Sequence, residues 1–77
     1  MPDKDMNYKA YNVIAGVAIK WELQHDKFYD YVLIHHVPMN TDFGNHIAQD
    51  VRIKLSKAGF KSKISWIDNW TMKVEVI

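Results

Sequence analysis

The stretch Tyr11–Leu23, YNVIAGVAIKWEL, decides how the chain is read. Its odd positions are Tyr11, Val13, Ala15, Val17, Ile19, Trp21 and Leu23. Apolar residues at period two are the mark of a half-buried strand. The even positions from Ala10 to Glu22 are small or polar apart from Ile14. The alanines permit a helix, but the β-branched Val13, Ile14, Val17 and Ile19 favour a strand. The segment is therefore expected to be the first strand, with Gly16 marking a bulge, a bend or a close backbone approach. Val13–Ile19 follows Lys4 and Lys9 and so imitates a signal-peptide core. The alternation continues on both sides of it, which argues against that reading.

Outward from this segment, MPDKDMN at 1–7 is polar and without a period, as a frayed end would be. Gln24–Lys27 is a polar break short enough for a hairpin. Phe28–Val37 is rich in aromatic and β-branched residues and reads as a second strand, ended by Pro38. Asn40, Thr41 and Asp42 each suit a helix N-cap. Phe43, Ile47, Val51, Leu55 and Ala58 then share one helical face, with Ala48 at its margin and Ile53 opposite. Gly59 stands where a left-handed C-cap residue belongs. Phe60–Trp66 and Trp70–Ile77 both alternate, and Asp68-Asn69 lies between them as a tight turn. The expected architecture is α+β: a two-layer β-β-α-β-β domain, its four-stranded sheet covered on one face by one helix. The strands on either side of the helix are free to run parallel.

The chain of 77 residues has room for one domain, spanning 1–77, and carries a formal net charge of +1. It has no cysteine, so neither a disulfide nor a thiolate site supports the fold, and a reducing cytoplasm suits it. Its 48% hydrophobic and 13% aromatic content is that of a folded protein. No apolar run approaches the ~18 residues of a membrane helix, so no membrane partner is expected.

One helix shelters only one sheet face. Tyr29, Tyr31, Leu33 and Val37 of the second strand point away from Phe28, Val32 and Ile34. One set is left on the helix-free side, joined by Ile14, Ile67 and Ile77. An apolar patch of that kind marks a contact surface. The expected function is non-enzymatic protein–protein interaction through this face or an edge strand, with another protein or as a homodimer. A small inhibitor or adaptor from a virus or mobile element would look like this. The expected contacts are Tyr29, Tyr31, Leu33 and His35, with Trp66 and Trp70 near the last turn, because aromatics dominate interface energetics.

Chemistry is sparse elsewhere. His35 and His36 are adjacent in a strand and point to opposite faces, His25 lies in a turn and His46 on the helix, so no convergent metal ligands are expected. No nucleophile motif, phosphate-cradling loop, cofactor site or small-molecule substrate site is legible. Arg52, Lys54, Lys57, Lys61 and Lys63 lie between Val51 and Ile67 with no acid among them. The alternative function is single-stranded nucleic-acid binding, with Tyr29 and Tyr31 as a stacking platform bordered by Lys20, Lys61, Lys63 and Lys73. The phrase KLSKAGFKSKI at 54–64 resembles helix-then-strand units of many small α/β domains, including sporulation-related peptidoglycan-binding repeats. It covers a fraction of the chain and carries no functional residue.

Overall fold

The computed structural model describes residues 8–27 and 30–77; the expected frayed end at 1–7, Phe28 and Tyr29 lie outside the described residues. The elements run α1 (Tyr8–Lys20), β1 (Gln24–Lys27), β2 (Tyr31–His35), α2 (Asp42–Lys57), β3 (Ser62–Asp68) and β4 (Thr71–Val76). The class is α+β, with two helices and one four-stranded antiparallel sheet in the order β1-β2-β4-β3.

The segment expected to be the first strand is α1. Ala10, Ile14, Val17 and Ala18 are its buried residues, at helical and not period-two spacing. Lys9, Asn12, Gly16 and Lys20 form the opposite, exposed stripe. A strand would have put Ile14 on the helix-free face; it is instead fully buried in the core. The fourth strand comes from Gln24–Lys27, expected as a turn, which pairs with β2 from Gln24↔His35 to Lys27↔Val32. Two helices thus cover the sheet where one was expected.

α2 follows its sequence pattern except at the two ends of the expected apolar face, where Phe43 and Ala58 are exposed. Thr41 caps it, its hydroxyl accepting from the Gly44 N–H at 3.0 Å and donating to the Pro38 carbonyl at 2.9 Å. Ile47, Ala48, Val51 and Leu55 face the core. Gly59, at φ +90°, lets the chain leave the helix while Phe60 N–H bonds back to the Leu55 carbonyl. α1 ends with the same bond, Leu23 N–H to the Ala18 carbonyl, with Glu22 in the left-handed position. β2 and β3 run parallel with β4 between them, since each is antiparallel to β4.

The core joins α1 (Ala10, Ile14, Val17), α2 (Ile47, Ala48, Val51, Leu55), β2 (Val32, Ile34), β4 (Met72, Val74) and Val37. A polar tie closes the seam between the helices. The Trp21 indole N–H donates to the Asp50 carboxylate at 2.8 Å, and Lys20 Nζ lies 3.5 Å from the same oxygen. Partial burial pushes the Asp50 carboxyl up, but the Trp21 hydrogen bond and the charges of Lys20 and Lys54 outweigh it and hold the pKa below its ordinary value.

Two outcomes follow from this packing. A Cβ at Gly16 meets open space, and alanine is the better helix former by about 0.8–1.0 kcal/mol, so Gly16→Ala should raise Tm by roughly 4–8 °C. A lowered Tm in a thermal melt would refute a helical α1. Asp50→Asn should cost about 1 kcal/mol at neutral pH, where the carboxylate is charged in both folded and unfolded states. A depressed folded pKa contributes stability above the unfolded carboxylate pKa and loses it as pH falls through the folded value. The stability gap between wild type and Asp50→Asn should therefore shrink as denaturant midpoints are measured below about pH 4.

Candidate functional site

β2 alternates cleanly: Val32 and Ile34 face the core, while Tyr31, Leu33 and His35 lie half-buried on the helix-free face. Register adds Gln24 and Asp26 from β1, Thr71, Lys73 and Glu75 from β4, and Lys63 and Ser65 from β3. Tyr31, Leu33 and His35 thus share a face as expected, but that face is not an apolar sheet surface. Asp26 and His35 on it are committed to one another, and Lys73 to Tyr31 and Glu75. His35 Nε2 meets the Asp26 carboxylate. Lys73 Nζ sits 4.6 Å above the Tyr31 ring and 3.9 Å from Glu75. The surplus that was to lie here has gone into α1.

Two further placements differ from expectation. Val37 belongs by alternation with Leu33, but His36 takes φ +69° and turns the chain, so Val37 is fully buried. Trp66 lies on the helix side of β3, where alternation puts it, but it is half-buried with its indole N–H donating to the Val37 carbonyl at 2.9 Å, not free as a contact near the last turn. Of the four lysines expected around the tyrosines, Lys20 sits on the helix layer beside Asp50 and Lys73 is engaged by Tyr31 and Glu75. Lys61 and Lys63 remain exposed at the start of β3.

Tyr8 and Ile19 on α1, Ile53 on α2 and Ile77 after β4 are singly exposed, while several exposed apolar side chains gather at one end of the domain. Gln24, His35, Thr71 and Asp68 form the last row across the sheet. Beyond it lie the end of α1, the start of α2 and the β3–β4 turn, so all three tryptophans gather at this end. Trp70 is 63% exposed on that turn, Ile67 55% exposed at the β3 bulge, and Met39 36% exposed on the β2–α2 loop. Phe43, in the first turn of α2, is also exposed on one side and packs edge-on to Trp21 at 5.7 Å.

The backbone beneath these side chains is fixed from several directions. Asp68 Oδ1 accepts from the Trp70 N–H at 2.8 Å. The Trp70 carbonyl accepts from Val37 N–H at 3.0 Å, and the Asn69 carbonyl from Met39 N–H at 2.9 Å. The β2–α2 loop presses onto α2 so closely that a Cβ at Gly44 would fall 1.9 Å from the Pro38 carbonyl oxygen. His36 and Asn40 both hold positive φ there, at +69° and +60°. Non-glycine residues in that region store strain that only a well-determined surrounding structure maintains. Sequence reading found Trp70 but missed Met39, and it expected Ile67 in the helix-free set. A bulge between Trp66 and Asp68 leaves the exposed Ile67 without a partner in β4, and no residue pattern announces that bulge.

No family model, curated protein or solved structure matches the chain. No helix among the described residues is long and apolar enough to cross a membrane. Among the same residues, no group of three or more His, Cys, Asp or Glu side chains converges.

The three tryptophans should separate in solution. Trp21 and Trp66 are half-buried with their N–H groups engaged, and Trp70 is not. Trp70→Phe should remove most of the iodide-quenchable fluorescence and leave the unfolding midpoint nearly unchanged. Quenching that survives this substitution would place the exposed indole elsewhere.

Proposed function

We propose that the chain is a protein-interaction module that docks through its tryptophan-bearing end, with Trp70 as the anchor and Ile67 and Met39 beside it. The observation that carries this reading is the 63% exposure of an indole whose backbone is hydrogen-bonded on both sides. Exposing a large aromatic forgoes roughly 1.5–3 kcal/mol of burial, which a partner's pocket would recover. A rigid aromatic buries large area at small entropic cost, so such residues dominate interface energetics. The fitting partner is a protein with an apolar pocket wide enough for an indole.

The helix-free sheet face supports this reading less. Its Tyr31 and Lys73 cover one another, and Asp26 and His35 satisfy each other. A partner would have to break these pairs before gaining from them.

A photo-crosslinking residue at Asn69, next to the anchor, tests the proposal in a lysate of the source organism. A discrete adduct is expected from position 69 and none from Asn12 on the exposed stripe of α1. Trp70→Ala should abolish that adduct, while Ile53→Ala should leave it intact. An adduct indifferent to Trp70→Ala, or equal adducts from both positions, would end the proposal. Sedimentation at rising concentration identifies the case in which the adduct is a second copy of the chain.

A further inference from the structure

We infer a second, independent surface: the corner where α2 turns into β3 binds the phosphate backbone of a nucleic acid. Lys57, Lys61 and Lys63 are exposed there, and Arg52 is exposed earlier on α2. None of their side chains has an ion-pair or hydrogen-bond partner among the described residues. Lys54 stands with them but is partly spent on Asp50. No acid occurs from Val51 to Ile67.

Of the free cations only Lys63 lies on the face of Tyr31, across from Glu75 in the register. Lys20 and Lys73 are occupied elsewhere, whereas Arg52 and Lys57 lie on α2, Lys61 just past the Gly59 turn and Lys63 in β3. Helix-dipole compensation accounts for Lys54 and Lys57 alone, because that effect fades beyond the last turn. Lys61 and Lys63 lie past the helix, and Arg52 precedes its last turn.

The net charge is only +1, and the exposed acids are spread out: Glu22, Asp42 and Asp68 lie at the tryptophan end, Asp26 on β1 and Asp30 just before β2, while none lies between Val51 and Ile67. A nucleic acid suits the corner better than a lipid surface. The apolar stripe of α2 is buried in the core, which among the described residues leaves Ile53 and Ile77 exposed on these elements for insertion into a bilayer. Cations spread over a helix end, a turn and a strand instead match successive phosphates. Because these contacts are to phosphate, no sequence preference is expected.

Fluorescence anisotropy with a labelled oligonucleotide, single-stranded and duplex, tests the inference. Log K should fall linearly with log salt, with a slope of roughly −3 to −4 when four contacts form. Lys57→Gln with Lys61→Gln should weaken binding about tenfold or more at low salt and flatten the slope by about 1.5–2. Asn12→Asp with Asn45→Asp makes the same net charge change on α1 and in the first turn of α2, away from these cations, and should cost far less. Thermal melts of both double variants check that they fold. Trp70→Ala should leave oligonucleotide affinity unchanged, which separates this surface from the proposed docking end. Three results would each overturn the inference: no binding at about 50 mM salt, equal loss in both double variants, or binding to phosphatidylserine vesicles without binding to either oligonucleotide.

Discussion

The packing of α1 across the sheet is the contact on which the rest of the domain depends. Ala10 and Ala18 are small enough to let the helix approach closely, and Ile14 and Val17 fill the space between α2 and β2. Fully burying side chains like the last two is worth roughly 1.5–3 kcal/mol each, a large share of what a domain of this size has to spare. The helix axis is then fixed at its C-terminal end by Asp50, which takes the Trp21 hydrogen bond and the Lys20 charge together. One carboxylate thereby ties the two helices at the place where α1 gives way to β1.

With two helices on one side, the other side of the sheet is free to be polar. Its charged and aromatic groups solve their own solvation problem in pairs, Asp26 with His35 and Lys73 with Tyr31 and Glu75. Groups already paired have little to offer a partner without first being desolvated and separated. Unspent interaction capacity is therefore pushed off the sheet face to the ends of the elements. Apolar area collects at the β3–β4 turn, and positive charge at the α2–β3 corner.

The second half of the chain was legible because each element there carries one period and its own punctuation. α2 has Thr41 before it, Gly59 after it and a single apolar stripe; β3 and β4 alternate around a turn that Asp68 makes by accepting from Trp70 N–H. The first half misleads for physical reasons. In Tyr8–Lys20 apolar residues occupy both parities, so period two is satisfied by abundance and not by exclusion. The discriminating signal lay in the polar residues: Lys9, Asn12, Gly16 and Lys20 are spaced three and four apart, as only a helix would place them. β1 is an edge strand of Gln24, His25, Asp26 and Lys27, and being mostly exposed it bears no apolar mark at all. Of the site, Trp70 was legible as an aromatic beside a turn. The neighbours that join it depend on the His36 left-handed residue and the β3 bulge, which alternation cannot foresee.

α2 sets the relation between the two surfaces. Its N-terminus is held against the β2–α2 loop that carries Met39, and its C-terminus carries Lys57 into the turn before Lys61. The same apolar stripe of Ile47, Val51 and Leu55 that anchors the helix in the core fixes the distance between its ends. Neither end can shift along the sheet without pulling those side chains out of the core, at a cost of several kcal/mol. A partner at the tryptophan end and a phosphate backbone at the basic corner would therefore be held at a set separation by a rigid rod. That geometry would let so small a domain join two ligands: the helix supplies the spacing, and each of its ends is left with chemistry the sheet has not consumed.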